Sequence, residues 1–242
     1  HLSERMNKGT LYLLPCPISD ETAPWEVLPA ANRAVMDALD YFIVENTRTA
    51  RRFLSKAGIA RPIDTLEFRE LNEHTAPGAA VEELIGPLLQ GRSAGVISEA
   101  GVPGVADPGA LVVEACHRHD IRVVPLVGPS SIILAMMASG LNGQSFAFNG
   151  YLPVKPPERA RAIRFFERRA RTEEQAQLFI EAPYRNAKLL EQLLQTLAPE
   201  TRLGIAIDLT APTAFVETHS VAEWRKREIP EMNKRPAIFL IG

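Results

Sequence analysis

The feature that most constrains the fold of this chain is an alternation between short apolar runs and longer stretches with helical periodicity. In the first half, the apolar runs predict strands at residues 9–14, 41–45, 93–98 and 122–127. Helical patterns separate or follow them, at residues 25–39, 47–56, 81–89, 108–117 and 130–139. This order is typical of a parallel sheet with crossover helices. The sequence therefore predicts an α/β fold.

The pattern changes after Gly140, where FAFNGYLPVKPP predicts a strand and a crossing segment. Less helix separates the strands beyond this point, and the elements are predicted at residues 159–171 (a basic helix), 177–181, 187–197, 203–208, 214–218 and 237–241. We therefore predict two α/β lobes, one over residues 7–145 with a mostly parallel sheet and one over residues 146–242 with a mixed sheet. A chain of 242 residues is long enough for two fused lobes.

The composition of the chain indicates its cellular environment but does not show whether it binds nucleic acid. The formal net charge of −2 neither favours nor excludes a polyanion. Two cysteines, Cys16 and Cys116, are too few for a disulfide framework, so we expect a reduced, cytoplasmic chain. Residues 123–141 carry no charge, but Pro125, Gly128 and Pro129 interrupt them, which favours a buried strand, a turn and a helix over a membrane span.

Unusual loop sequences follow the first four predicted strands. They are LLPCPIS, VENTR, SEAGVPG and VGPSS. Ligands of open α/β sheets bind beyond the carboxyl ends of the strands, so we expect these loops to converge on one cleft.

Three motif-like segments are better explained by local structure than by chemistry. GPLLQGRS at residues 86–93 ends a helical pattern and leads into a strand, which is the wrong context for a phosphate-binding loop. GPSSI lacks the second glycine of a nucleophile elbow, and Ser130 is better interpreted as a helix N-cap. His117 and His119 are two residues apart at a helix end, so no metal site is expected.

The composition of the loops indicates the kind of ligand. Glycine permits close approach of the main chain, and Pro, Ala and Val supply apolar walls. The neighbouring acids are Glu45, Glu99 and Asp107, which favour a ligand with positive charge. A sulfonium such as S-adenosylmethionine fits this pattern better than a dinucleotide.

Seven blocks then carry a resemblance over nearly the whole chain. In order, they are GTLYLLPCPIS, VENTRTARRFL, GVISEAGVPGVADPGALVVEAC, VVPLVGPSSIILAMMASGL, FNGYLP, FIEAPYRN and PAIFLIG. The chain resembles the tetrapyrrole methylase superfamily, and within it the branch that methylates a cytidine 2′-hydroxyl of small-subunit ribosomal RNA.

The resemblance implies a homodimer of two-lobed α/β subunits that binds S-adenosylmethionine in a cleft between the lobes. It assigns cofactor contacts to the loops of the first lobe, to the start of the helix after the fourth strand, and to an adenine wall in the second lobe. These residues are Pro15, Glu99, Ala100, Gly101, Val102, Val105, Ser130, Ser131, Ala206, Ile207 and Ala237.

The chain departs from the pattern of the RNA-modifying branch at several points. Glu99 and Val102 stand in SEAGVPG where the branch has SDAGTPG, and Asn46 replaces the aspartate of EDTR. IDLTA keeps only the end of RELTK, and the carboxy-terminal segment that usually contacts RNA is expected to be missing after Gly242. Cofactor binding should tolerate these changes because main-chain groups carry most of it, whereas the identity of the substrate does not follow from the resemblance.

Methyl transfer to a ribose hydroxyl benefits from a general base. Glu45, Asp107 and Glu181 are the candidates, and for each the alternative is a helix cap or a salt bridge.

Basic residues suggest where an anionic substrate could bind. Arg161, Arg164 and Arg168 lie on one stripe of the predicted basic helix, and the alternative is a solvated helix face. Arg48 and His74, the latter in a predicted loop, are further candidates. Structured RNA or a ribosomal subunit is the favoured partner. A carboxylate-rich tetrapyrrole, or a cofactor-binding relative with weakened catalysis, remain the alternatives.

Overall fold

The computed structural model describes residues 7–72, 74 and 78–242. The chain divides into two compact units, one ending at Ser130 and one beginning at Ser131. Each unit contains one five-stranded sheet.

The sheet of the first unit is parallel throughout. Its strands are β1 (Thr10–Leu14), β2 (Tyr41–Val44), β3 (Glu67–Glu70), β4 (Ala94–Ile97) and β5 (Arg122–Pro125). Their order across the sheet is β3-β2-β4-β1-β5, and every neighbouring pair is parallel. The predicted parallel sheet is therefore confirmed, and β3 is an edge strand that the sequence pattern did not reveal.

The helices of the first unit largely follow the predicted alternation. They are α1 (Pro24–Val27), α2 (Asn32–Ala38), α3 (Thr47–Ala57), α4 (Ala79–Leu89) and α5 (Gly109–Arg118). The prediction of a single helix over residues 25–39 is wrong, because α1 ends at Val27 and Leu28 is extended (φ −102°, ψ 142°). The residue before a proline is disfavoured in helical geometry, and Pro29 follows Leu28.

Apolar side chains bury both faces of this sheet. One core contains Leu11, Ile43 and Val96 together with residues of α4 and α5. The other contains Leu14 and Phe42 together with residues of α2 and α3. Because strands covered on both faces need apolar residues at successive positions, this packing explains the continuous apolar run Tyr41–Val44.

The sheet of the second unit is mixed, as predicted. Its strands are β6 (Phe146–Tyr151), β7 (Ala176–Ile180), β8 (Arg202–Ile207), β9 (Phe215–Ser220) and β10 (Ala237–Ile241). They lie in the order β6-β7-β10-β8-β9, and only β6 and β7 are parallel. The helices of this unit are α6 (Ser131–Ser139), α7 (Pro156–Thr172), α8 (Asn186–Thr196) and α9 (Val221–Trp224).

The division between the units lies earlier in the chain than the predicted boundary at residue 145. Helix α6 belongs to the second unit because its apolar side chains pack on the second sheet. Ile132, Ala135 and Met136 share a core with Leu178 and Leu240. The change in sequence pattern after Gly140 marks the start of β6. The second compact unit already begins with α6, one helix earlier.

The uncharged stretch at residues 123–141 does not form one long helix. Most of strand β5, a turn and helix α6 occupy it, as the sequence predicted, but the prediction that the strand is buried is wrong, because β5 is an edge strand and its residues are half-buried or exposed. Across the described ranges, every helix is too short or too polar to span a membrane.

Candidate functional site

Three loops at the carboxyl ends of β1, β4 and β5 contact one another in the first unit. The backbone N–H of Cys16 donates to the carbonyl of Gly101 at 3.0 Å. A Cβ atom built at Gly128 would lie 2.1 Å from Cβ of Pro15, so only glycine permits this approach. One built at Gly101 would lie 2.9 Å from the carbonyl oxygen of Pro129. The loops after the first, third and fourth predicted strands therefore form one cluster.

The loop after β2 joins the same cluster through a side chain. Oε1 of Glu45 accepts a hydrogen bond from the backbone N–H of Glu99 at 3.4 Å, and the N–H of Glu45 donates to the carbonyl of Ile97. All four loops thus meet at the end of the parallel sheet that is formed by the carboxyl ends of its strands. This convergence is what the position of the loops after parallel strands predicted.

The glycine-rich loop at residues 98–107 needs its glycines for backbone conformation as well as for space. Gly101 and Gly104 have φ values of +69° and +86°, which favour glycine, and Ala106 is also left-handed at +59°. Oδ1 of Asp107 accepts hydrogen bonds from the N–H groups of Gly104 and Gly109, both at 2.8 Å. Asp107 therefore closes the loop and caps the first turn of α5, although the helix itself begins at Gly109.

Burial changes the acid–base properties of two groups in this cluster. Partial burial raises the pKa of the Asp107 carboxyl above its ordinary value, and the two backbone N–H groups only partly oppose this. Burial raises the pKa of the Cys16 thiol to about 12, so this thiol is protonated at neutral pH. Cys16 is therefore a packing residue of the cluster rather than a nucleophile.

A groove of about 540 Å³ lies beside the glycine-rich loop, within the first unit. Val102 and Val105, two of the predicted cofactor contacts, line it. Its other walls come from β1, β5 and α5 and from the loop itself; they are Leu13, Pro103, Gly104, Ala110, Val113, Glu114, His117, Pro125 and Leu126. The volume falls in the range that small-molecule sites occupy.

A second and smaller cavity, about 40 Å³, has Glu99 in its lining. Cys16 and Ser98 also line it, together with Thr49, Arg52 and Lys56 of α3. These three residues of α3 are not among the predicted site residues. Their spacing of three and four residues, which places them on one helix face, was the signal that could have found them.

The three candidate bases fall into two environments. Glu45 and Asp107 line the same small cavity in the first unit. Glu181 lies in the second unit, with a side chain only 1% exposed, and pairs with Arg185 at 3.2 Å and Arg159 at 3.9 Å. Its Oε1 also accepts from the N–H of Ala182. Glu181 thus forms salt bridges, which was the alternative to a role as general base.

The predicted adenine contacts of the second unit lie on two paired strands. Ile207 is opposite Ala237 in the antiparallel register of β8 and β10, and Ala206 is opposite Ile238. An ion pair joins the two loops next to this pairing, because Nε of Arg235 lies 2.7 Å from Oδ2 of Asp208. Arg235 also donates to the carbonyl of Thr213. The ion pair therefore links the segments next to Ile207 and Ala237.

The remaining predicted residues are distributed along the surface. Glu99 and Ala100 are exposed, Ser130 is half-buried, and Ser131 begins α6. Arg48 is exposed on the first turn of α3. His74 is exposed, and its N–H donates to Oδ1 of Asn72. Arg161, Arg164 and Arg168 are exposed along α7, as their stripe predicted.

The motif-like segments that the sequence analysis set aside have structural partners. Arg92, in the segment that imitates a phosphate loop, binds Asp40 at 3.0 Å and Glu67 at 2.7 Å. His119 of CHRH lies 2.7 Å from Glu82. In the part of the chain that the structure describes, no group of three or more His, Cys, Asp or Glu side chains is arranged to bind a metal.

Comparison with known families agrees with this architecture. The model of the Tetrapyrrole (Corrin/Porphyrin) Methylases matches residues 25–224, which is most of the chain. The chain belongs to the tetrapyrrole methylase family. It is therefore a methyltransferase, as the seven sequence blocks predicted.

Relatives within this family are similar along most of their length. A protein of Xylella fastidiosa named ribosomal RNA small subunit methyltransferase I is 31% identical over 96% of this chain and 80% of the relative. The protein of the same name from Escherichia coli O157:H7 is 30% identical over 94% of this chain and 76% of the relative. The Vibrio cholerae protein of that name is 32% identical over 88% and 69%.

Solved structures of the family share the fold. The methyltransferase CobJ superposes with a TM-score of 0.63 at 18% identity and covers 97% of this chain and 94% of its own. Uroporphyrin-III-C-methyltransferase from Thermus thermophilus superposes with a TM-score of 0.53, also at 18% identity, over 97% and 92%. At this level of identity the likeness concerns the fold alone.

The departures from the RNA-modifying branch of the tetrapyrrole methylase family have local structural roles. Asn46 caps α3, because its Oδ1 accepts from the N–H of Thr49 at 3.0 Å. Val102 forms part of the apolar groove wall, and Asp208 of IDLTA is the partner of Arg235. An asparagine caps a helix as well as an aspartate does, so the change at residue 46 preserves the start of α3.

Proposed function

We propose that this chain transfers a methyl group from S-adenosylmethionine to a ribose 2′-hydroxyl of small-subunit ribosomal RNA. The observation that carries the proposal is the similarity, over most of the chain, to relatives named ribosomal RNA small subunit methyltransferase I. The exposed arginines of α7 supply the positive charge that a polyanionic substrate requires. A homodimer, as the resemblance implies, is part of this proposal.

The loop cluster of the first unit fits S-adenosylmethionine in size and chemistry. The groove offers two valine side chains and an accessible main chain, with Gly104 and Pro103 between them. S-adenosylmethionine, when bound, supplies a methyl group on a positively charged sulfur that a nucleophile can attack. Glu114 lines the groove and Glu45 lies in the adjacent loop, so carboxylates are available to favour a cation.

The residues of the first unit would act mainly by positioning. Val102 and Val105 would exclude water from the bound cofactor, and the loop conformation that Asp107 closes would fix their direction. Correct alignment of reacting groups can lower a barrier by about 7–11 kcal/mol. Pro15 and Gly101 would contribute through the close loop packing described above, while Ala206, Ile207 and Ala237 keep the predicted adenine role.

A base would accept the proton of the ribose hydroxyl. Asp107 and Glu45 are the better candidates, because Glu181 is buried and held by two arginines. The raised pKa of Asp107 also makes its carboxylate a stronger base than an ordinary aspartate. A well-placed base accelerates such reactions by about 10²- to 10⁴-fold.

The proposal is tested by binding and transfer measurements on the same protein. Calorimetry measures S-adenosylmethionine affinity, and tritium transfer is then followed to small ribosomal subunits that lack this modification and to uroporphyrinogen. Label recovered in a 2′-O-methylated nucleoside supports the proposal. Label in the tetrapyrrole alone would replace RNA by a small-molecule substrate, and binding without transfer to either would indicate a relative with weakened catalysis. Absence of cofactor binding would refute methyl transfer.

A further inference from the structure

The basic face of α7 contains an exposed aromatic side chain that the sequence analysis passed over. Phe165 is 46% exposed and lies between Arg161, Arg164 and Arg168 in the sequence. The four residues follow the spacing i, i+3, i+4, i+7, which places them on one face of a helix. A large apolar side chain thus shares one helix face with three arginines.

These arginines differ from Arg159 and Arg169 of the same helix in having no acidic partner. Arg159 is buried near Glu181, and Arg169 pairs with Glu173 at 3.2 Å. Arg161, Arg164 and Arg168 make no ion pair with any residue in the described ranges. Their charges are therefore available to a ligand.

The acids of α7 do not neutralise this face. Oε2 of Glu167 accepts from the N–H of Ala198 at 2.8 Å and from the hydroxyl of Thr201 at 2.7 Å. Glu173 is occupied by Arg169. Only Glu158, in the first turn, lies near the start of the face. The hydrogen bonds of Glu167 and the ion pair of Glu173 thus direct these two carboxylates to other partners.

The ring of Phe165 is held in place from below. It packs edge-on against Phe166, with centroids 5.1 Å apart and an angle of 80° between the rings. Phe166 in turn packs against the fully buried Phe179 at 4.9 Å. Phe165 is therefore connected to the core of the second unit through Phe166 while about half of its side chain stays accessible.

We infer that this face, defined by Arg161, Arg164, Phe165 and Arg168, binds a single-stranded segment of RNA, with an unstacked base on Phe165 and the adjoining phosphates on the arginines. The inference rests on the proposed function and specifies how the RNA is held. Aromatic rings flanked by basic side chains bind single strands because every base has a π-face. A duplex hides those faces, so phosphate contact alone would remain for a paired RNA.

Binding of a fluorescein-labelled single-stranded RNA decamer, measured by anisotropy at several salt concentrations, tests this inference. Phe165→Ala and Phe165→Leu should weaken binding about 5- to 150-fold with an unchanged salt dependence, and Phe165→Trp should restore it. Arg168→Gln should instead lower the salt dependence, by about 0.7 in the log–log slope if it contacts one phosphate. The same decamer as a blunt duplex should bind the wild type and Phe165→Leu equally.

Two control variants and the transfer assay separate the possible failures. Met137→Ala removes an apolar side chain of the second unit that is more exposed than Phe165, and Arg227→Gln removes a cation that is already paired with Glu223; both should bind RNA as the wild type does. Circular dichroism checks that α7 stays folded in each variant. Equal binding by the wild type and by Phe165→Leu, in a protein that methylates RNA, overturns the inference alone. Absence of any RNA binding or methylation by the wild type overturns the proposed function with it.

Discussion

The backbone of Gly128 lies so close to Pro15 that a Cβ atom at residue 128 would come within 2.1 Å of the proline ring. This contact joins the loop after β5 to the loop after β1. We expect Gly128→Ala to lower the free energy of unfolding by about 1–3 kcal/mol, because the loops must separate. Affinity for S-adenosylmethionine should fall as well. Urea denaturation and calorimetry measure the two effects.

The matched control for this change is Gly143→Ala, where an added Cβ would meet no atom within 4 Å. Its stability should be unchanged or raised by up to about 1 kcal/mol. If Gly128→Ala behaves like this control in both measurements, the loop contact is unimportant.

A cleaner test of the groove uses Val105, which is 51% exposed and lines it. Val105→Arg should leave the unfolding free energy within about 0.5 kcal/mol, as exposed substitutions usually do. It should weaken S-adenosylmethionine binding at least tenfold, because a cation then faces the sulfonium. Leu111→Arg, an exposed position of α5 outside the groove lining, is the control. Equal affinities in the two variants would place the cofactor elsewhere.

The raised pKa of Asp107 predicts a pH dependence of stability. The folded state holds this proton more tightly than the unfolded chain does, since burial disfavours the carboxylate. Its contribution is therefore fully present below the ordinary carboxyl pKa of about 3.9 and is lost as pH rises through the raised pKa. Relative to wild type, Asp107→Asn should gain stability over that window and then remain level. Denaturation curves at a series of pH values test this.

The variant Asp107→Asn also tests whether Asp107 is the general base of methyl transfer. Asparagine can still accept from Gly104 and Gly109 through its amide oxygen, so the loop should keep its shape. Loss of a general base should lower kcat about 10²- to 10⁴-fold with little change in cofactor affinity. A kcat within twofold of wild type would leave Glu45, tested as Glu45→Gln, as the remaining candidate in this cavity.

The basic stripe predicts how RNA affinity responds to salt. Reversing Arg161, Arg164 and Arg168 to Glu should remove salt-sensitive retention of small-subunit RNA and lower the log–log slope by about 2, if each contacts one phosphate of a single strand. Arg227→Glu, at a cation paired with Glu223, should have a small effect. Retention that does not vary with salt in the wild type would contradict a role for the stripe.

The two cysteines should be unreactive in the native protein. Burial raises the pKa of both Cys16 and Cys116 to about 12, so the thiolate fraction at pH 8 is on the order of 10⁻⁴. An aromatic disulfide reagent should therefore label neither thiol quickly in buffer and both in guanidinium chloride. Rapid native labelling of either one would show that its burial is incomplete.

Sequence periodicity predicted the sheet well where strands are buried on both faces. Tyr41–Val44 and Ala94–Ile97 are continuous apolar runs, so their strands were recognisable. Glu67–Glu70 has the sequence EFRE, and its pairing to β2 is decided by the tertiary fold. The boundary between the units could not be predicted from the sequence either, because the apolar pattern of a helix such as α6 does not show which sheet it packs on.

The sequence predicted which loops come together at the site. It did not decide the roles of the individual residues. Loop order after parallel strands was enough to bring Pro15, Glu45, Gly101 and Gly128 together. A side chain at residue 101 would disturb the fold as well as the site, since residue 101 has a φ of +69° and a Cβ atom there would lie 2.9 Å from the carbonyl oxygen of Pro129. The partners of Glu181 are two arginines, one of them 22 positions away in the chain at Arg159, and residue type alone could not reveal that pairing.

The ion pair between Asp208 and Arg235 links the ends of two neighbouring strands of the second sheet. It ties the segment that leaves β8 to the segment that enters β10, so neither strand end can shift without the other. Removing either partner releases the same tether, and removing both should cost little more than removing one. The two strand ends are therefore linked, and if Ile207 and Ala237 have the adenine role proposed above, a substitution at one should change the ligand preference at the other.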